Sequence, residues 1–376
     1  MPMSYGFLST YTPTECGLAT FTAALAEELR EGPPAGHIGV VRVVDGLPGS
    51  TKPEIVHHLI TSSPGGEAEA AAILNGFDAV VVQHEYGIYG GPDGDQVLCV
   101  LERLNVPVVV VLHTVLVDPT PHQREVLERV LAAADAVVTM TPTARRRLLH
   151  GYTVDPAQVV LIPHGAADNR LPPGARPARP TILTWGLLGP GKGIEWVVDA
   201  LAELRDLEPE PRYLVVGETH PRVVERDGQS YRRGLMGRAT RRGVGHLVEF
   251  DDRYLSIAAL GRLVAQADVV VLPYDSREQV TSGVLVEALA WGKPVIATAF
   301  PHAVEMLGGG AGLIVPHGDP AAMAAALRRV LTEPGLAARL SSAAAALAPE
   351  LLWPSVADRY RALVGQLVEA RAAAVA

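Results

Sequence analysis

The sequence predicts an α/β protein built from two doubly wound parallel-sheet domains. Short β-branched runs alternate with helix-length amphipathic segments along nearly the whole chain, and those runs are apolar throughout, as expected of strands covered on both faces. A proline-rich stretch then divides the series near its middle, and the alternation restarts after it.

In the first half, strands are predicted near 4–9, 38–43, 79–84, 107–112, 136–139 and 158–162, with helices near 17–31, 93–104, 121–134 and 142–149. Arg170-Leu-Pro-Pro-Gly-Ala-Arg-Pro-Ala-Arg-Pro180 holds too much proline for either element and reads as a linker over 170–180. In the second half, strands are predicted near 181–187, 212–217, 246–250, 268–273, 294–298 and 311–315. Helices fall near 193–206, 221–241, 257–267, 282–291, 301–307, 319–332 and 335–347. The expected domains are 1–169 and 181–350. The helix within 351–376, after Trp353-Pro354, is expected to cross back to the first domain. Ligands of such folds bind outside the carboxyl ends of the strands, so a cleft facing both sheets is expected.

At 376 residues the chain can bury two cores, and 48% hydrophobic against 19% charged residues excludes a disordered protein. A formal charge of −9 argues against nucleic acid or an anionic membrane as main partner, so an anionic ligand needs a local site. Cys16 and Cys99 form neither a disulfide framework nor a metal-ligand pattern, which suits a reducing cytoplasm. No secretory start is visible and the apolar runs are strand length, so no transmembrane segment is expected. Peripheral membrane contact through a lipid-linked acceptor stays open.

The turn after the predicted 181–187 strand carries the first chemical signal. Gly186-Leu-Leu-Gly-Pro-Gly191-Lys192-Gly193 sets four glycines and a lysine before a helix, in a chain with only three lysines. Backbone amides of such a turn, the positive end of the helix and the Lys192 ammonium can converge on an anion. An ordinary turn with a solvated lysine is the competing reading. A nucleoside-triphosphate P-loop is disfavoured, because its last position needs a hydroxyl for Mg²⁺ and Gly193 has none.

The second signal is Gln279-Val-Thr-Ser282-Gly283-Val284-Leu-Val-Glu287, followed by Gly292-Lys-Pro-Val-Ile-Ala-Thr298. Thr281 or Ser282 can cap a helix, the amides of Ser282, Gly283 and Val284 can face an anion, and Glu287 can accept both hydroxyls of a ribose. Two helix starts and one lysine thus suggest a diphosphate of a nucleotide.

With both motifs in place, the chain resembles family-4 retaining glycosyltransferases of GT-B fold, in their mannosyltransferase-like branch. The first half shares the resemblance through Ser9-Thr-Tyr-Thr-Pro-Thr-Glu-Cys-Gly17, Gln83-His-Glu85-Tyr86-Gly-Ile-Tyr-Gly-Gly91, Leu112-His113-Thr114 and Ile162-Pro-His-Gly165. The resemblance implies two Rossmann-like domains facing across a cleft, and an enzyme that moves a hexosyl group from a nucleotide diphosphate sugar to an acceptor hydroxyl with retention. GDP-mannose is the favoured donor. The acceptor is an unspecified glycan, glycolipid or small metabolite, and neither metal nor other cofactor is expected.

The resemblance also assigns roles. Lys192 neutralises the donor diphosphate and the leaving group, Gly186 belongs to the same turn, and Ser282, Gly283, Val284 and Gly17 supply backbone contacts. Glu287 holds the ribose, and His113 lies at the donor sugar. Eight residues before Glu287, where relatives carry a glutamate that touches the sugar, stands Gln279; either Gln279 contacts the sugar as an amide, or Glu278 takes its place. Glu85 and Tyr86 are candidates for acceptor or sugar contact, and His164 for shaping a turn. The arginine that shares the phosphate in many relatives is missing, with Leu187 and Gly189 at the candidate positions. A nucleotide-sugar epimerase of the same architecture and a non-catalytic nucleotide-sugar-binding protein are the alternative readings.

Overall fold

The structure is a computed structural model that describes residues 3–46, 52–62, 65–170 and 177–375. Most of the predicted linker, residues 171–176, lies outside the described residues. The chain divides into two compact units, one of residues 1–165 with 353–376 and the other of residues 166–352.

The first unit carries seven strands, β1 (Ser4–Ser9), β2 (His37–Val44), β3 (Ile55–Ile60), β4 (Ala79–His84), β5 (Val108–Leu112), β6 (Ala136–Thr139) and β7 (Val159–Leu161). Its helices in this stretch are α1 (Gly17–Glu31), α2 (Gly66–Leu74), α3 (Gln96–Leu101), α4 (Pro121–Ala132) and α5 (Pro142–Gly151). The strands form one parallel sheet in the order β3-β2-β1-β4-β5-β6-β7. Pairs such as Val80 with Val108 and Val81 with Val109 stack fully buried valines across it. That burial explains why β5 reads as an unbroken apolar run.

The second unit carries β8 (Thr181–Trp185), β9 (Arg212–Val216), β10 (Val248–Asp251), β11 (Val269–Leu272), β12 (Val295–Thr298) and β13 (Gly312–Val315). Its helices are α6 (Ile194–Leu201), α7 (Pro221–Asp227), α8 (Ser230–Arg241), α9 (Ile257–Gln266), α10 (Gly283–Ala290), α11 (Pro301–Leu307), α12 (Pro320–Thr332) and α13 (Leu336–Leu351). The strands are parallel in the order β10-β9-β8-β11-β12-β13, so the order reverses between β8 and β11. One apolar cluster fills each face of this sheet, one built around α10 and α13 and the other around α6, α8 and α12.

The last helix, α14 (Trp353–Val375), belongs to the first unit. Its Trp353 ring meets Phe21 of α1 edge-on at 5.0 Å, and Arg361 donates to the Glu28 carbonyl at the end of α1. Among the described residues, no helix is long and apolar enough to cross a membrane.

The expected fold class holds, with three local differences. β3 and α2 were not expected: β3 is an edge strand with two histidines and an exposed Val56, and α2 is alanine-rich with little apolar periodicity, so neither shows a core-facing pattern. The helix expected over 221–241 is two helices, because Gly228 adopts φ +58° and closes α7 onto the Val224 carbonyl. The helix expected over 93–104 shrinks to 96–101, preceded by a tight turn in which Asp93 has φ +49°.

α6 and α8 are also tied electrostatically. The Asp199 carboxylate, 5% exposed, accepts from Arg238 at 2.6 and 2.8 Å and from Arg242 at 2.8 and 2.9 Å. Bonding to the two guanidinium groups, Arg238 first, holds its carboxyl down at about 2 against the opposing effect of burial. Because the folded value lies below the unfolded one, the stabilisation is present above the unfolded value and is lost as pH falls through the folded one. With both arginines partly solvated, Asp199→Asn is expected to cost about 1–2 kcal/mol at pH 7, with the difference from wild type narrowing between pH 4 and pH 2 in urea unfolding.

Candidate functional site

Strand order reverses between β8 and β11, and the helices that follow these strands, α6 and α10, start at their carboxyl ends, the place where ligands of such folds bind. Both sequence motifs of the second unit lie here. β8 ends on Trp185 and the glycine turn follows. Gly193 closes that turn at φ +64°, so close to β11 that a Cβ there would stand 1.8 Å from the Pro273 carbonyl oxygen. No side chain fits, which gives the structural reason why a P-loop hydroxyl is absent.

The seated turn fixes Lys192. Its Nζ lies 4.7 Å above the Tyr274 ring, a cation–π distance. Tyr274 is itself held: its ring stacks on Phe300 at 5.2 Å, and its carbonyl accepts from Thr298 Oγ1 at 2.6 Å and His317 Nδ1 at 2.8 Å. Asp275, next in the chain, donates its N–H to the Gly191 carbonyl and accepts from Trp196 Nε1 at 2.6 Å, so its carboxylate braces α6.

Gly186 differs from expectation. Its N–H donates to the Val216 carbonyl at 3.0 Å, extending the pairing of β8 with β9, and is therefore not available to an anion. What the position requires is a backbone at φ +117°. A Cβ built there would lie 3.7 Å from Val284 Cγ2, so the glycine turn and the start of α10 are neighbours.

At α10, the Ser282 hydroxyl caps the helix by accepting from Leu285 N–H at 3.3 Å. The Ser282 amide also departs from expectation, because it donates to His302 Nδ1 at 2.9 Å inside the protein. His302 is 3% exposed and starts α11 after Pro301. The Gly283 and Val284 amides are then the first-turn donors without an intrahelical acceptor.

Glu287, one turn further on, accepts from Trp185 Nε1 at 3.2 Å, and the Trp185 ring stacks on Trp291 at 6.0 Å. Burial pushes its carboxyl up to about 7, the indole bond opposing. In the loop before α10, Glu278 is exposed, whereas Gln279 is partly buried with Nε2 donating to the Thr281 carbonyl at 3.0 Å.

In the first unit, the expected residues gather at the carboxyl ends of β4 and β5 and the start of α1. α1 is capped by Cys16 Sγ, which accepts from Ala19 N–H at 3.4 Å. Gly17 opens the helix, and a Cβ there would meet nothing within 4 Å, so the fold itself does not demand this glycine. His113 follows β5. Its Nε2 lies 2.7 Å from Gln83 Oε1, an acceptor, so the ring donates there and keeps Nδ1 as an acceptor. Burial, then the neighbouring His164 and His84, push it down to about 3, so it stays neutral at ordinary pH. Phe21 meets its ring edge-on at 5.0 Å.

Both oxygens of Glu85 are engaged, one by Thr114 Oγ1 at 2.5 Å and the other by the Tyr86 amide at 3.1 Å. Tyr86 packs on His84, and its hydroxyl lies 3.4 Å from the Gln123 carbonyl. His164 binds the Gly165 carbonyl and is wedged against Phe21 and Trp353, so it shapes the chain there.

Sequence reasoning missed Trp185, Tyr274 and His302, which position Glu287, Lys192 and Ser282. A tryptophan as last residue before the glycine turn was the one available signal, since strand ends at a reversal point face the ligand.

Comparison with known proteins completes the picture. Residues 17–170 match the family model described as Glycosyltransferase Family 4, and residues 179–333 match Glycosyl transferases group 1. The D-inositol 3-phosphate glycosyltransferases of Actinosynnema mirum and Kineococcus radiotolerans are each 30% identical to the chain, over 70% and 72% of it and 68% and 69% of their own lengths. Among solved structures, sucrose-phosphate synthase from Thermosynechococcus elongatus superposes with a TM-score of 0.80 at 22% identity, covering 98% of this chain and 100% of that one. Anabaena HepE in complex with UDP and glucose gives 0.76 at 17% identity, covering 97% and 100%. These two show the fold alone, which is GT-B.

The Gly193 geometry is testable. Gly193→Ser, which would restore a P-loop-like sequence, places a Cβ against the Pro273 carbonyl and forces φ +64° on a non-glycine residue. It should cost about 3 kcal/mol and lower Tm by roughly 10 °C in thermal unfolding followed by circular dichroism.

Proposed function

The chain belongs to the group 1, family 4 glycosyltransferases, enzymes of nucleotide-sugar glycosyl transfer, and on that premise we propose a retaining, metal-independent hexosyltransferase that uses GDP-mannose. The observation that carries the donor assignment is one constellation in the second unit. An ammonium fixed over Tyr274, the first-turn amides of α10 that have no intrahelical acceptor among the described residues, and the Glu287 carboxyl lie about the β8–β11 reversal.

In this reading the diphosphate lies between Lys192 and the Gly283 and Val284 amides. Glu287 exchanges its indole bond for the two ribose hydroxyls, and Gln279, already turned into the loop, meets the sugar through its amide; exposed Glu278 takes no part. Gly17 lets a ligand approach the start of α1 without a Cβ in the way. His113 offers a neutral imidazole acceptor at Nδ1 to the sugar, and Glu85 and Tyr86 hold the acceptor side.

The reaction asks little of side-chain bases. The bond from sugar C1 to the diphosphate oxygen breaks, the acceptor oxygen bonds to C1 on the same face, and the acceptor proton passes to the departing phosphate oxygen. Positioning and neutralisation of the leaving diphosphate then supply most of the rate. For the acceptor, the relatives' common name supports an inositol phosphate, a small polyol whose ring hydroxyl would be the nucleophile.

The direct test incubates the protein with GDP-mannose and D-inositol 3-phosphate, with and without a chelator. The expected result is an acceptor-dependent product that keeps the anomeric configuration of the donor by NMR and forms equally with chelator present. Inverted product, donor turnover without acceptor, or binding without turnover would each overturn the reading, the last two in favour of an epimerase or a binding protein.

Lys192→Ala should reduce kcat/KM on the order of 10³-fold with an unchanged circular dichroism spectrum. Because Glu287 is neutral below about 7 and ionised above it, and the ionised form accepts both ribose hydroxyls, the Kd for GDP should tighten between pH 6 and pH 8 by about three- to tenfold. Titration calorimetry of Glu287→Gln should show that slope flattened.

A further inference from the structure

The donor site described above is short of donors. Two of the amides expected to serve it, those of Gly186 and Ser282, are bonded within the protein, and Lys192 is its one lysine. A leaving nucleoside diphosphate carries more charge than one ammonium and two amides match, so a further donor beside Lys192 would stabilise it.

The segment that follows β9 is also built against the glycine turn. Leu188 donates its N–H to the Glu218 carbonyl at 2.7 Å, and His220 donates its N–H back to the Leu188 carbonyl at 2.8 Å. These bonds make a parallel bridge between Leu188 and Thr219, outside the regular sheet. Val223 of α7 closes over the same turn, with its Cγ2 3.2 Å from where a Cβ of Gly189 would stand. The segment is also anchored from behind. Gly217 donates to the Asp251 carbonyl at 2.8 Å, the buried Arg232 holds the Gly217 carbonyl at 2.6 Å, and Thr219 Oγ1 is 2.7 Å from Gln229 Oε1.

His220 is therefore delivered to the turn by its own backbone, and its ring is oriented. Nδ1 accepts the Arg222 N–H at 3.2 Å as the cap of α7, which leaves the proton of the neutral ring on Nε2. The side chain is only partly buried, so a ligand can reach it. Burial, then the Arg222 and Lys192 charges, hold the imidazole below its ordinary range against the weaker pull of Glu225, so the neutral donor form prevails at physiological pH.

We propose that His220 is a donor-binding residue, whose Nε2–H bonds the diphosphate beside Lys192 and supplies the contact that the glycine turn lacks. It rests on the donor-site reading above. The residue does not act as an acid; it adds a fixed neutral donor beside the Lys192 ammonium.

Three substitutions separate the ring's two jobs. His220→Gln keeps a donor near the Nε2 position, His220→Asn keeps a helix-capping acceptor while withdrawing the donor, and His220→Phe removes both. The Kd for GDP by calorimetry, donor kcat and KM, and Tm are measured on all three and on wild type. The expected result is a rise in Kd for GDP of about ten- to hundredfold in His220→Phe and His220→Asn, with His220→Gln within about threefold of wild type. Tm should fall only where the cap is lost.

If Kd instead follows Tm, with His220→Asn normal and His220→Gln weakened, His220 is only a helix cap and the proposal fails. If wild type binds GDP and Lys192→Ala weakens it while all three His220 variants bind normally, the donor site stands and the histidine assignment alone falls. If wild type binds neither GDP nor UDP, the donor site itself is wrong and His220 falls with it.

Discussion

The contact on which the second unit's site depends is the seating of Gly193 against the Pro273 carbonyl. With no room for a Cβ, the turn after β8 drops onto the end of β11, and α6 begins there. The same seating puts Gly191 where Asp275 can donate to it and Trp196 where it can bond the Asp275 carboxylate. Lys192, held between these points, has little choice but the face of Tyr274. The ammonium is thus fixed by packing before any ligand arrives, which is what stabilising a developing charge requires.

A related economy governs the backbone donors. A buried amide seeks an acceptor in the protein unless a ligand supplies one. Here the sheet takes the Gly186 amide and a buried histidine takes that of Ser282, while the Gly283 and Val284 amides in the first turn of α10 have no intrahelical acceptor. The carboxyl of Glu287 shows the same logic on the acceptor side. It is parked on an indole N–H in a setting that disfavours its charge, so a ligand bringing two hydroxyl donors would restore that charge.

In the first unit, polar residues are concentrated where apolar strands end. Gln83 and His84 close β4 although both are buried, and His113 follows β5. Their environment fixes their chemistry. His113 is packed against Phe21 and bonded to Gln83, so it is an oriented neutral hydrogen-bonding group and not a proton carrier at ordinary pH.

Much of this was legible in the residues. Continuous apolar strands such as β5, the glycine turn that carries Lys192 and the capped, glutamate-bearing helix each carry local signals that do not depend on distant parts of the chain. β3 and α2 were not legible, because an edge strand with histidines and an alanine-rich helix have no strong one-faced pattern. The break at Gly228 was missed because a glycine inside a helical pattern does not reveal its φ. By itself, then, the sequence determined the fold class and most of its elements, since periodicity and turn chemistry are local, while its motifs carried the family resemblance. The tertiary structure alone decided which amides stay available, that Trp185, Tyr274 and His302 stand behind the site residues, and that His220 reaches the glycine turn. Those outcomes depend on which group packs or hydrogen-bonds against which, and residues far apart in the chain provide the partners.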